Sequence, residues 1–420
     1  MNVVSFLTAT FVLTTAFSAI GQTPVASVPT PLSRLLAEAE ANNPQISAAD
    51  YGARAARQMA PQVRTLPDPK FTYQQFSVGS PKPFAGYTNS DFAYVGIGAS
   101  QELPFPGKLR LRGQVAERDA DTKQAEIGLT KTTIADAIKG DDLQLAYLQQ
   151  TLGILQQNES ILDQLIQDAT AHYQVGHGMQ QDVLAAQVNR TRIVHEITMH
   201  HQQMGQVQAH LKGLLNRDQG SPDIVAEDLT ETPLKRTADE LLAVIRQNNP
   251  QIQVDASSIR KQDAQLASAK REGKPDFEVG YMYQNTDRKY RDYYMFTFDV
   301  RFHRKARVNA EIAEATEKRA ESQQTLNAHL QQQLAEVQQG YVKATSDEEL
   351  LKEYRDGLIP QSDAAYRATL SAYASNREQF IHLLSYFTDV LNLKLEYAQT
   401  LADHETALAH LESLTGVTLR

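Results

Sequence analysis

The stretch His195-Glu196-Ile197-Thr198-Met199-His200-His201 brings together side chains that could do chemistry. Imidazole and thioether groups suit soft or borderline metals, so His195, Met199, His200 and His201 are candidate metal ligands. A zinc-protease helix needs its second His at the fifth position of the motif, and Met199 stands there. The plainer reading, a polar helix face in water, is favoured, and it applies equally to His177 and Met179. Gly96-Ile97-Gly98 lies inside an alternating run, where two glycines are small strand residues rather than a phosphate loop. The chain has no cysteine, which excludes thiol catalysis, Cys-ligated metals, disulfides and a lipid-modified N-terminal Cys. The formal charge of -9 is spread along the chain, and no basic block suggests nucleic acid. The residues therefore point to no enzyme and to no cofactor, and the elements that carry them must be read for another kind of function.

Those elements come twice. LLAEAEANNPQI at 35–46 returns as LLAVIRQNNPQI at 241–252, with eight of twelve positions identical. In each copy a helix ends at the first Asn, and the second Asn caps a new helix that has Pro at its first position. The new helices run to about Arg64 and Arg271, and each leads through a Pro-Asp step, LPDPKF at 66–71 and KPDF at 274–277, into strands. Phe277, Val279, Tyr281 and Tyr283 alternate with polar or small residues, as do Tyr294, Phe296, Phe298, Val300 and Phe302. Period two over nine residues predicts a strand with one apolar and one polar face. Runs at Phe71–Gln74 and Phe92–Ile97 are the weaker first-half matches, and polar loops are expected near 77–90 and 285–292.

Each half then turns helical for a long stretch. No proline interrupts 107–173, and Leu145, Leu148, Leu152, Leu155, Leu162 and Ile166 keep a three-four spacing broken by Glu159. Leu326, Leu330, Leu334, Val337 and Tyr341 do the same in the second half. Such narrow stripes are coiled-coil seams, and a helix of this length makes a rod of roughly 100 Å. Pro360 is expected to kink or break the second rod. The rods reverse at Gly176 and Gly178, and near Asn376, because these residues tolerate left-handed backbone. A hairpin tip so far from the body is well placed to meet a partner. Lys108, Arg110 and Arg112 follow LPFPG at the strand-to-helix junction, with Arg301, Arg304, Lys305 and Arg307 in the second half. If the strands sit in a membrane, these side chains can meet lipid phosphates or snorkel; the alternative is ordinary surface charge that serves solubility.

VVSFLTATFVLTTAFSAIG at 3–21 is an uncharged apolar run ending in small residues, so an export signal is expected at 1–21, with a membrane anchor as the alternative. A first repeat at 22–220, a linker at 221–237 and a second repeat at 238–420 follow. The expected strand pairs are about 70–102 and 276–302, and the hairpins about 107–216 and 305–416. The fold class is mainly α with a small β part. No internal segment is apolar enough for a spanning helix, so membrane crossing would fall to the strands. Four strands cannot close a barrel, and an open edge in lipid strands backbone polar groups, so the chain must oligomerise. Three copies give twelve strands with approximate sixfold symmetry, continued by the hairpins as a polar tube.

The quoted repeats, LPDP, QELPFPGKLRLR at 101–112, YQVGHGMQQDVLAAQ at 173–187 and LIPQSDAAYRATLSAY at 358–373 resemble the TolC-like outer-membrane efflux family over nearly the whole mature length. LPFPGK is most similar to its heavy-metal (CusC/CzcC-like) branch. The resemblance implies a homotrimeric twelve-stranded transmembrane β-barrel with a helical α-barrel below it, spanning outer membrane and periplasm. It also implies as partners a periplasmic membrane-fusion adaptor, an inner-membrane pump of the resistance-nodulation-division type, and outer-membrane lipid. Conduction would be passive. The family's adaptor-docking tip maps onto Val175, Gly176, Gln181, Asp182, Val183 and Leu184, with Asn376 at the second turn. Its acidic aperture ring matches Asp182, but His382 stands at the second-half position, which argues against a double ring. The rival reading is a periplasmic coiled-coil adaptor or scaffold, which gives no reason for the alternating aromatic strands.

Overall fold

The computed structural model describes residues 29–90, 92–286 and 292–419, and the export-signal segment lies outside them. The order is α1 (Leu32–Asn42), α2 (Pro44–Arg64), β1 (Lys70–Phe76), β2 (Tyr94–Leu103), α3 (Lys108–Gln174) and α4 (Gln180–Leu214). The second repeat gives α5 (Ala238–Asn248), α6 (Pro250–Glu272), β3 (Asp276–Thr286), β4 (Tyr293–Arg301), α7 (Lys305–Glu353), α8 (Ile359–Ala374) and α9 (Phe380–Thr415). Each repeat is two short helices, a strand pair and a long hairpin.

The repeated Asn-Pro step does more than cap a helix. Asn43 Oδ1 accepts the Gln45 and Ile46 N–H groups, and Asn249 Oδ1 accepts that of Ile252. The amide nitrogens reach sideways: Asn43 Nδ2 donates to the Leu214 carbonyl at 2.8 Å and Asn249 Nδ2 to that of Leu414 at 2.9 Å. One buried side chain therefore satisfies orphan donors at the start of one helix and an orphan acceptor at the end of another. Around each sits a small core, with Leu35, Ala39 and Leu211 in the first repeat and Leu241, Ile245 and Leu411 in the second. The linker runs across these cores on side-chain clips. Gln208 exchanges two hydrogen bonds with the Ile224 backbone, buried Lys212 donates to the Ser221 carbonyl, and Glu405 accepts the Thr232 N–H.

Helix α3 is the central rod, packed on α4, α9, α2 and α6. Its seam differs from the expected one. Leu145, Leu148, Leu155 and Leu162 are buried as the spacing requires, but between them the stripe passes through buried Thr151 and Asn158 rather than Leu152 and Glu159. The polar seam residue is tolerated because Asn158 Nδ2 donates to the Ile154 carbonyl one turn back. Between α7 and α8 the chain makes a π-helical turn, Tyr354–Leu358, and continues as helix. Pro360 has no N–H to donate, and just before it Ile359 N–H reaches back five residues to Tyr354. Proline here widens the helix by a turn and does not end it.

The double role of the Asn side chain gives a clean expectation. Asn43→Asp keeps the cap acceptor but loses the donor to Leu214, and Asn43→Ala loses both. The first should cost about 1 kcal/mol and the second about 2 kcal/mol, read as lowered midpoints in chemical denaturation.

Candidate functional site

The four strands form one antiparallel sheet in chain order, so β2 of the first repeat pairs with β3 of the second. The register sets Tyr73 beside Ile97, Ile97 beside Tyr283 and Tyr283 beside Tyr294. The same face carries Phe71, Ala99, Tyr281 and Phe296 in one row, and Val279 beside Phe298 in the next. Phe71 is 82% exposed and Phe296 79%, so this face needs an apolar medium to cover it. The other face holds Thr72, Gly98, Met282 and Met295 in one row, and Ser100, Gly280 and Thr297 in the next. Its glycines are structural: a Cβ on Gly280 would fall 2.4 Å from Thr297 Oγ1. Glu102 pairs with Arg301 at 3.0 Å and Glu278 accepts from Ser100 at 2.8 Å, which keeps this face polar. β1 and β4 are the sheet's free edges.

The strand-to-helix junction departs from its expected role. Lys108 lies wholly buried and does not face lipid. Its Nζ is 2.8 Å from Asp276 Oδ1 and 3.5 Å from Glu272, while His303 Nε2 lies 3.2 Å from Nζ and 3.0 Å from the other Asp276 oxygen. Phe105 N–H also donates to Asp276. Arg112 is only half-buried but is held as a two-bond fork on Glu272 at 2.8 and 2.9 Å. Burial pushes the Glu272 carboxyl up, but the Arg112 guanidinium and the Lys108 ammonium outweigh it and hold it below the usual carboxylate value. Arg110, Lys305 and Arg307 stay exposed, with Arg307 held to Glu311. Sequence reasoning saw a basic cluster and missed its acidic half, because Glu272, Asp276 and His303 lie more than 150 residues away. The Pro-Asp step was the available signal.

At the other end the two hairpin turns use one geometry. Gly176 has φ 78° and Asn376 φ 54°. His177 N–H donates to the His172 carbonyl and Arg377 N–H to that of Ala372, the same six-residue closure. Asp182 accepts the Met179 N–H at 3.1 Å and so closes the first turn of α4, while His382 sits 2.7 Å from Glu378. The backbone of Gln379 and the His382 ring hold the Glu378 carboxyl below its ordinary value. The second-repeat tip therefore carries an acid at Glu378, a turn ahead of the position where the first carries Asp182. Tyr373 packs between His172 and Phe380, with ring centroids at 4.9 and 5.4 Å, and ties the two tips together. A groove of about 470 Å³ opens between them, lined by Met179, Gln181, Asp182, Asn376, Glu378 and Ile381. Val175 and Leu184 project as exposed apolar side chains beside it, and Val183 packs into the seam.

The candidate metal ligands do not converge. His200 turns Nδ1 toward its own helix at the Glu196 carbonyl, 2.9 Å away, and His195, Met199 and His201 are exposed. Among the described residues no group of three His, Asp or Glu side chains could hold a metal ion, and no helix is long and apolar enough to cross a membrane.

The chain thus combines a sheet with one exposed aromatic face and two free edges with two long helical hairpins that run from the foot of that sheet. Residues 35–217, the first repeat, match the family model described as Outer membrane efflux protein. No curated protein matches the chain by sequence. Solved structures match its fold: the outer-membrane channel OprN has 16% identity and a TM-score of 0.77, over 93% of this chain and 91% of that one. VceC from Vibrio cholerae has 15% identity and a TM-score of 0.76, over 93% and 97%. CusC has 13% identity and a TM-score of 0.77, over 93% and 92%. The first repeat thus carries the sequence pattern of outer membrane efflux proteins, and the chain as a whole carries the fold of outer-membrane channels.

The buried Lys108 gives a test of the junction. Lys108→Met leaves Asp276 and Glu272 without their shared cation and should cost about 3–5 kcal/mol. The Glu272 carboxyl is depressed, so its contribution is present above the ordinary carboxylate value and is lost as pH falls through the lowered one. The wild-type melting temperature in detergent should accordingly fall on acidification below about pH 4, and Lys108→Met should start lower and respond less.

Proposed function

We propose that three copies of this chain form the outer-membrane conduit of a tripartite efflux system, conducting passively from a pump and adaptor to the exterior. The chain is a transport component and not an enzyme. The sheet carries this reading: its Phe and Tyr face, its polar and glycine-rich opposite face and its two free edges fit a barrel wall with lipid outside and water inside. An adaptor or scaffold leaves that exposed aromatic face unexplained. The tips, with their common turn geometry and the groove between them, are the proposed docking surface, and the π-helical turn above them is the proposed place where the tunnel wall bends. Asp182 and Glu378 supply negative charge at the tip, which favours cations at the aperture. The LPFPGK resemblance to the heavy-metal branch supports metal cations as cargo.

A strain lacking this chain should become sensitive to heavy-metal salts, and the wild-type chain should restore growth. Gly176 has open space around its Cα, and its counterpart is a non-glycine residue at positive φ, so Gly176→Asp should fold at a cost of about 1 kcal/mol. That variant should assemble normally in the membrane yet restore no resistance. Full restoration by Gly176→Asp removes the docking assignment, and sensitivity to dyes and detergents without metal sensitivity removes the cargo assignment.

A further inference from the structure

The duplicated chain contains the template for its own contact with the next copy. Inside one chain, β2 of the first repeat lies against β3 of the second, with Gln101 opposite Val279 and Leu103 opposite Phe277. Below this seam Asp276, which opens β3, accepts the Phe105 N–H and the Lys108 ammonium from the β2-to-α3 junction. The equivalent elements at the outer edges are β4, which leads through Phe302 to Lys305, and β1, which follows the Pro67-Asp68 step. Among the described residues β4 and β1 each have a neighbour on one side only.

Resting on the trimer reading above, we propose that β4 of one protomer pairs with β1 of the next in the register of the internal β2–β3 seam. Lys108 and Lys305 both open a long helix, and Asp276 and Asp68 both follow proline at the foot of a strand. Matching these landmarks sets Thr297 opposite Thr72, Phe298 opposite Phe71, Phe296 opposite Tyr73 and Asp299 opposite Lys70. The landmarks know nothing of which way side chains face, yet the result places aromatic residues across from aromatic residues on the lipid side. A slip of one residue would set each of them against a residue of the polar face.

Charge gives a second, separate check. Within the chain the matched pair is Glu102 opposite Glu278, two like charges relieved by Arg301 and Ser100. Across the proposed seam the pair is Asp299 and Lys70, of opposite sign, on the polar face. Asp68, Lys70, Asp299 and Lys305 are all exposed, and none has an ion-pair partner within the chain among the described residues. At the foot of the seam Asp68 of the next copy takes the place of Asp276, accepting from the Phe302 N–H and from Lys305. The copy is simpler than its template: Arg64 stands where Glu272 does and is already held by Glu117 at 2.7 Å. The foot of the seam between chains therefore carries one ion pair in place of a network.

The cysteine-free chain makes the register directly testable by oxidation in membranes. Thr72→Cys with Thr297→Cys should close covalent trimers with a yield roughly tenfold above Thr72→Cys with Met295→Cys or Thr72→Cys with Asp299→Cys, because only the first pair comes within disulfide reach. Best linkage by a shifted pair, or trimers with no linkage at the first, overturns the register while leaving the trimer intact. No linkage by any pair together with a monomeric particle overturns the trimer reading itself. If the cysteine pairs do not assemble, charge exchange decides. Lys70→Asp and Asp299→Lys should each lower the temperature at which trimers dissociate, and the double exchange should restore it; a double variant no better than the singles overturns the pairing.

Discussion

The structure depends on one constraint: a strand edge in hydrocarbon has no water to satisfy its N–H and C=O groups, at several kcal/mol for each group left over. A four-stranded sheet with an aromatic face turned outward carries two such edges, at β1 and β4. Every larger feature follows from covering that face and closing those edges. On the proposed trimer reading one chain leaves the barrel incomplete, and the helical rods below it would associate as staves with it. Narrow seams suit this, because each rod buries a stripe against its own hairpin and leaves the rest of its surface for other copies or for water.

Duplication then sets the geometry. The same Asn cap, the same small core and the same left-handed turn occur in both repeats. The differences are where the symmetry is broken. The first repeat has an unbroken 67-residue rod, whereas the second has a π-helical turn ahead of Pro360. The first tip carries Gly176 and Asp182, and the second Asn376 and the Glu378–His382 pair. The buried Lys108 network joins the repeats inside one chain, where it can be assembled once, during folding, without a partner.

Much of this was legible in the residues themselves. Period-two aromatics marked β3 and β4, Asn-Pro marked the helix restarts, and Gly176 and Asn376 marked the turns, because each of these signals is local. The lateral bonds from Asn43 and Asn249, the acidic half of the Lys108 network and the linker clips were not, because they join residues far apart in the chain. The α3 seam lay between these cases. Its heptad spacing was visible, but Thr151 and Asn158 hid two of its members behind polar side chains. The burial of Lys108 was hidden for the same reason, since composition shows a charge and never its partner.

The central claim is that this chain closes a barrel only with copies of itself. Native mass measurement of the particle released intact from outer membranes tests it most directly. The account predicts three chains per particle and no stable lone chain. A monomer that keeps its strands, or a particle with another number of chains, would contradict it.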